Sequence, residues 1–143
     1  LLVRHKFANQ GVKLICALQP RLPQIPGDAM QLEQAFLNLM LNAAEAMPAG
    51  GNLTIATRVV PAKSGPPETL RSVIVEFADT GGGMSEEQCR RAFSSVLSTT
   101  KPKGTGLGLA IVGRTVETHN GTIQIKSQPG RGTVIEIIFP SAR

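Results

Sequence analysis

The chain has 143 residues, of which 41% are hydrophobic, 17% charged and 3% aromatic, with a net charge of +5. These values exclude an intrinsically disordered chain and predict one compact domain, and no apolar run approaches the roughly 20 residues that cross a bilayer. The basic excess could attract a polyanion, but the scarcity of aromatic rings argues against a stacking platform for single-stranded nucleic acid, so we expect no nucleic-acid partner.

The first predicted element is incomplete. The segment Leu1 to Gln10 ends at Gly11 as an element begun upstream would, and the chain starts without Met. We therefore interpret residues 1–143 as a single domain cut from a longer chain. Val12 to Leu18 then alternates in hydrophobicity, which predicts a strand.

The strongest helix signal follows Pro26-Gly27. Asp28 is the predicted N-cap, and Gln31 stands three residues later, as in a capping box. The helix should run to about Met47, where Pro48-Ala49-Gly50-Gly51 ends it. Its predicted core-facing stripe consists of Leu32, Phe36, Leu39, Ala43 and Met47.

A polar strip crosses this otherwise apolar helix. Asn38 and Asn42 are four residues apart and Glu45 is three further on, so that they share one face with Gln31. Amide side chains are costly to bury without a partner. They either cap neighbouring backbone groups or supply oxygen ligands to a Mg²⁺ ion that is shared with nucleotide phosphates.

Two segments rich in β-branched residues, Leu53 to Val60 and Ser72 to Ala78, predict strands joined by a surface loop over Pro61 to Leu70. Asp79 follows the second strand and opens a glycine-rich turn that ends at Met84. An acid at this place can accept a hydrogen bond from an exocyclic amine. A tight turn with a solvated carboxylate is the alternative.

Ser85 to about Ser94 predicts a short helix capped by Ser85, and Ser95 to Thr105 a mobile loop. A longer helix should begin at Gly106 or Leu107 and end near His119. Its alternating glycines leave amide groups free to face an anion at the helix N-terminus, although close helix packing would also explain them.

The last two predicted strands, Thr122 to Ser127 and Thr133 to Phe139, flank the turn Gln128 to Gly132 and form a hairpin. The order of elements predicts an α+β fold: a two-layer sandwich of one mixed, mostly antiparallel sheet of about five strands, with about three helices on one face.

Several residues are assigned to the surface or the core. We expect free thiols at Cys16 and Cys89, and surface positions for His5 and for His119, which ends a helix. The arginines expected on the solvated face or in partner contacts are Arg90, Arg91 and Arg131. The positions expected in the core are Phe36, Ile74, Val75, Ile111, Ile123 and Ile135.

Five segments, in order, resemble the motifs of sensor histidine kinases. The segment Asn38 to Met47 looks like the N box, Asp79 to Gly83 like the G1 box and Gly104 to Leu109 like the G2 box. Ser98 to Lys101 is similar to the lid and F box, and Gly130 to Thr133 to the closing hairpin. The resemblance implies a Bergerat-type catalytic and ATP-binding domain.

By this resemblance, ATP lies between the first long helix and the lid. Asn42 would ligate Mg²⁺, with Asn38 beside it and Glu45 near the metal. Asp79 would receive the adenine amine and Thr133 would support the water network beside it. The residues implied around the ring are Gly81, Gly83 and Met84, and those implied at the phosphates are Thr100, Lys101, Gly104, Thr105, Gly106, Leu107 and Gly108.

The resemblance also implies a reaction. Related hydrolysing ATPases carry a glutamate base where Asn38 stands, and an amide cannot act as that base. Asn38, Asn42 and Lys101 are therefore expected to support transfer of the γ-phosphoryl group to a histidine rather than hydrolysis.

The phosphoacceptor motif is missing from this chain, so the histidine would lie on a separate dimerisation domain of the same full-length protein. The implied partners are that domain and a response regulator. The isolated domain is expected to be monomeric and cytoplasmic, and the full-length protein a homodimer that is either soluble or anchored in a membrane.

Some alternatives stay open. The F box lacks its usual Pro-Phe pair before Thr100 and Lys101, which affects how the lid docks. A nucleotide-binding pseudokinase, a hydrolysing ATPase and an anti-sigma Ser/Thr kinase of the same superfamily also fit the motifs, and a basic polyanion binder is a more distant reading.

Overall fold

The computed structural model describes residues 2–23, 25–61, 71–91 and 106–140. The predicted loop around residues 62–70 and the predicted loop after residue 94 lie outside these ranges. The elements in chain order are α1 (Leu2–Gln10), β1 (Val12–Leu18), α2 (Ala29–Glu45), β2 (Gly51–Pro61), β3 (Arg71–Asp79), α3 (Glu86–Arg91), α4 (Gly106–Thr118), β4 (Thr122–Gln128) and β5 (Gly132–Pro140).

The strands form one five-stranded sheet in the order β1-β2-β3-β5-β4. β1 pairs with β2 in parallel, and every other neighbouring pair is antiparallel. Parallel strands cannot be joined by a tight turn, because the chain must first return to the end of the sheet where the first strand began. The connection between β1 and β2 contains α2, which spans that distance. The predicted two-layer, mixed and mostly antiparallel architecture is confirmed.

The hydrophobic core lies between the sheet and the helices α2 and α4. Phe7 of α1 joins the same cluster, which includes Leu39 of α2, Val112 of α4 and Phe139 of β5. Each of these side chains is at most 2% exposed, and burial of such a side chain stabilises the fold by about 1.5–3 kcal/mol. Packing from both layers therefore fixes where α2 stands over the sheet.

One of the core predictions is wrong. Ile111 is 50% exposed, because α4 buries the opposite face, where Val112 and Val116 lie one turn apart. The other predicted core positions are buried or packed against the core: Ile74, Val75 and Ile135 are buried, and Phe36 and Ile123 are partly buried.

The start of α2 combines a predicted cap with an unpredicted partner. The Asp28 carboxylate accepts hydrogen bonds from the amides of Met30 and Gln31, as expected for the N-cap. The Asp28 amide, however, donates to Nε2 of His119 at 3.0 Å. The capping box with Gln31 is thus only half formed, since His119 takes the reciprocal bond.

His119 is buried, with 7% of its surface exposed, so its predicted surface position is wrong. Its Nδ1 lies 2.7 Å from the carbonyl oxygen of Thr115. A carbonyl oxygen only accepts, so Nδ1 carries the ring proton and Nε2 is free to accept from Asp28. His119 therefore ties the end of α4 to the beginning of α2, whereas His5 is exposed as predicted.

Both cysteines are free thiols, as predicted. Among the helices in the described part of the chain, none has the length and apolarity to cross a membrane.

Candidate functional site

Asp79, Thr133 and Ser127 lie side by side at one end of the sheet. Asp79 is directly opposite Thr133 in the β3–β5 pair, and Thr133 is directly opposite Ser127 in the β5–β4 pair. Directly opposite residues of antiparallel strands project from the same face. Leu53, opposite Asp79 on β2, is fully buried in the core, so the polar row is on the helix-covered face.

The glycine turn after Asp79 is wedged between α2 and the β4–β5 hairpin. The Asp79 carboxylate accepts a hydrogen bond from the Gly81 amide at 2.8 Å. The Gly82 amide donates to the Ala46 carbonyl at 3.3 Å, and the Gly130 amide donates to the Gly82 carbonyl at 2.7 Å. The turn therefore joins the end of α2 to the hairpin.

Two of the predicted site glycines are required by the fold, independently of any ligand. A Cβ on Gly81 would lie 2.5 Å from the Ala46 carbonyl oxygen, and one on Gly83 would collide with the Gln128 carbonyl oxygen. Gly83 also has a φ of +73°, which side chains disfavour. Close contact between backbones is thus a sufficient reason for both glycines.

The polar strip of α2 ends beside this turn. Asn38 and Asn42 are half-buried and Glu45 is exposed, and Asn38 accepts a hydrogen bond from Nε2 of Gln34 at 3.4 Å. Glu45 immediately precedes Ala46, whose carbonyl contacts the turn. The contact with the turn is thus made by Ala46, and Asn42 lies one helical turn before it. The side-chain oxygen atoms of Asn42 and Glu45 are of the kind that Mg²⁺ prefers.

No cluster of three or more His, Cys, Asp or Glu side chains that could hold a metal ion is found among the described residues. Mg²⁺ commonly binds through one or two protein oxygens together with substrate phosphates and water. Asn42 and Glu45 match that smaller donor set.

α4 includes Gly106, one of the two predicted starts. α4 packs along α2, and its far end is held at Asp28 by His119. With 13 residues, α4 extends about 20 Å from that contact. The predicted role of its first turn, with Leu107 and Gly108, at the phosphates stays a prediction.

The remaining phosphate-side predictions lie outside the described residues. They are Thr100, Lys101, Gly104 and Thr105.

Two residues of the site were missed from the sequence. Ser127 contacts Met84, Gly132 and Thr133 through its hydroxyl, and counting outward from the hairpin turn would have placed it opposite Thr133. Nε2 of Gln10 donates to the carbonyls of Ala44 and Met47 at the end of α2, and no sequence signal indicates that contact.

Cys89 stands on α3 near this hairpin. Burial raises the pKa of its thiol, and the charge of Glu86 raises it further. The thiol therefore stays protonated at neutral pH, when it is a poor nucleophile and a poor metal ligand.

Comparison with known proteins identifies the family of this chain. Residues 27–143 match the family described as histidine kinase-, DNA gyrase B-, and HSP90-like ATPase. Sensor histidine kinase ZraS of Klebsiella oxytoca is 40% identical over 139 residues, which are 97% of this chain. The chain spans only 28% of that relative's length.

Solved structures give the same picture. The mycobacterial sensor histidine kinase MprB has a TM-score of 0.77 and 28% identity, over 98% of this chain and 87% of that one. Full-length ShkA in complex with AMPPNP has a TM-score of 0.76 and 26% identity, over 99% of this chain and 28% of that one.

Proposed function

Because this chain belongs to the family of histidine kinase-, DNA gyrase B-, and HSP90-like ATPases, we propose that it binds ATP with Mg²⁺ at the Asp79 end of its sheet. It is a catalytic and ATP-binding domain of the sensor histidine kinase type. We propose further that it transfers the γ-phosphoryl group to a histidine on the dimerisation domain of its full-length protein, for relay to a response-regulator aspartate.

One observation carries the proposal: Asp79 and Thr133 stand side by side where the polar strip of α2 ends. Asp79 can accept a hydrogen bond from the adenine 6-amino group, which is a donor. The related chain ShkA was solved in complex with AMPPNP, an ATP analogue, which supports an adenine nucleotide as the ligand. Met84 and the glycine turn would border the base.

The phosphate side of the proposal rests on the two helices. Asn42 would hold Mg²⁺ through its side-chain oxygen, with Glu45 acting near the metal, and bound Mg²⁺ would neutralise charge on the phosphates. The first turn of α4 would direct backbone N–H groups at the phosphates. Lys101 and Thr100, with Gly104 and Thr105, are proposed to complete this side.

The identity of residue 38 favours transfer over hydrolysis. Asn38 carries an amide where hydrolysing relatives use a glutamate base, and an amide cannot take a proton from water. Its Oδ1 atom accepts from Gln34 in the preceding turn. Asn38 is therefore suited to a structural role beside Asn42, and bound ATP is retained without hydrolysis until the acceptor histidine binds.

The setting of the domain is part of the proposal. Residues 1–143 would form one monomeric, cytoplasmic domain within a longer homodimeric kinase. A histidine-bearing dimerisation domain and a response regulator would be its partners, a proposal supported by the similarity to sensor histidine kinases.

ATP affinity tests the binding site. We expect Asp79→Asn to weaken Mg²⁺–ATP binding about 10- to 100-fold, because a hydrogen bond to a charged acceptor is lost. Asp28→Asn is the matched control, since Asn caps a helix as well as Asp does. Equal affinities for all three proteins, measured by calorimetry, would place the nucleotide elsewhere.

The transfer step needs its own assay. The full-length protein incubated with labelled ATP should form an acid-labile phosphohistidine, and Asn42→Ala should abolish it while weakening only the Mg²⁺-dependent part of ATP binding. Tight ATP binding without labelled protein would indicate a pseudokinase. Steady release of phosphate without labelled protein would indicate an ATPase.

A further inference from the structure

Ser127 lies among three hydrogen-bonding groups at the end of β4. Its Oγ donates to the Gly132 carbonyl at 2.9 Å, accepts from the Met84 amide at 2.7 Å, and lies 2.8 Å from Oγ1 of Thr133. A hydroxyl group has one proton and two acceptor lone pairs. These three contacts therefore use the whole hydrogen-bonding capacity of Ser127.

This count fixes the direction of the bond between Ser127 and Thr133. The Gly132 carbonyl only accepts, so it takes the Ser127 proton, and the Met84 amide only donates, so it takes one Ser127 lone pair. The remaining lone pair must receive the proton of Thr133. Thr133, a residue that is 7% exposed, then has hydroxyl lone pairs that can accept but no hydroxyl proton left for another partner.

Thr133 stands between Ser127 and Asp79 in the row across the sheet. Side chains of directly opposite residues in such a row are about 4.5–5.5 Å apart at their Cβ atoms. A group that lies against Asp79 therefore meets two neighbouring acceptors, the Asp79 carboxylate and Oγ1 of Thr133.

We propose that Ser127 is a positioning residue that sets the base selectivity of the nucleotide site by holding Thr133 as an acceptor. This inference rests on the ATP binding proposed above. The 6-amino group of adenine offers a donor to the two acceptors, whereas a 6-oxo group in the same place sets a third acceptor against them. Unpaired polar groups of this kind are what allow a site to reject a near-isosteric ligand.

The affinities for ATP and inosine triphosphate test the inference, because the two nucleotides differ only in the 6-amino or 6-oxo group and the N1 proton. In Ser127→Ala, the Thr133 proton becomes free to turn toward the base and to donate to a 6-oxo group. We expect the preference for ATP over inosine triphosphate to fall about tenfold, the effect of one hydrogen bond.

Ser72→Ala is the matched control. It makes the same chemical change at the opposite end of β3 from Asp79, and it should leave the preference unchanged. Ser127→Thr keeps the hydroxyl and should retain the wild-type preference. If Ser127→Ala does not fold, Ser127→Cys keeps the volume with a weaker donor and should lower the preference partly.

A double-mutant cycle separates positioning from a general structural effect. Thr133→Val removes the acceptor and should itself lower the preference, and adding Ser127→Ala to it should change the preference no further. Additive effects would overturn the inference, because Ser127 would then act independently of Thr133.

The failure of this inference is distinguishable from failure of the proposed function. A folded Ser127→Ala protein that binds ATP and keeps the wild-type preference overturns the role of Ser127 alone. A wild-type protein that binds neither nucleotide overturns both.

Discussion

The two ends of α2 are held in different ways. At its N-terminal end, the Asp28 amide is bound by a side chain, that of His119, which lies 91 residues away in the sequence. At its C-terminal end, the Ala46 carbonyl is bound by a main-chain amide, that of Gly82, and Gly81 packs directly against it. The first contact is lost when the His119 side chain is truncated, whereas the second is disturbed when a side chain is added to Gly81.

The ends also differ in what depends on them. The C-terminal end carries Asn42 and Glu45 and adjoins Asp79, whereas the N-terminal end carries no proposed ligand of ATP. Changes at the C-terminal end should therefore alter nucleotide affinity, and changes at the N-terminal end should alter stability alone.

The largest effect is expected for Gly81→Ala. The new Cβ would lie 2.5 Å from the Ala46 carbonyl oxygen, so that α2 and the glycine turn must separate, which costs about 3 kcal/mol of unfolding free energy. ATP affinity should fall with it, since Asp79 moves with the turn. Denaturant unfolding and calorimetry measure the two effects.

Gly82→Ala is the control for this prediction. A Cβ at Gly82 has no atom within 4 Å, so both measurements should stay within about 0.5 kcal/mol of wild type. If the two alanine variants behave alike, the contact between the backbones does not hold this end of α2.

His119→Ala probes the opposite end. It leaves the Asp28 amide without its partner and removes a buried ring, and we expect a loss of about 2 kcal/mol in stability. ATP affinity of the folded protein should stay within about twofold of wild type. The exposed His5 provides the control, since His5→Ala should change stability by less than about 0.5 kcal/mol. A large loss of ATP affinity in His119→Ala would break the distinction between the two ends.

Gln10→Ala gives the smallest of the stability effects and sharpens the comparison. Gln10 is the side-chain contact at the C-terminal end, where it donates to the carbonyls of Ala44 and Met47. Its loss should cost about 1 kcal/mol, less than Gly81→Ala, if backbone contacts dominate there. The exposed neighbour Asn9 supplies the control variant Asn9→Ala, and thermal unfolding compares them.

The sequence predicted local features of these ends well. Asp28 as a cap and the extent of α2 to within two residues follow from side-chain chemistry and hydrophobic period. Side-chain chemistry and hydrophobic period do not bring Asp79 and Thr133 together. Only the family resemblance predicts that they share a site, and the strand register shows them as neighbours.

The errors concern contacts between distant segments. The position of His119 at a helix C-terminus predicts a surface site, but the residue that it binds is 91 residues away. Ile111 was placed in the core because it is apolar, while the exposed fraction of 50% depends on which face of α4 meets α2. Neither choice is encoded in a short window of sequence.

The parallel pairing of β1 and β2 has a consequence for the order of folding. β1 joins the sheet through β2 alone, and all of α2 separates the two strands. Closing so long a connection costs entropy before any pairing is gained. β1 should therefore be the last strand to join on refolding, and its amides should exchange with deuterium before those of the central strand β3. The segment that bears Gln10 would then leave the end of α2 while the rest of the sheet stays closed.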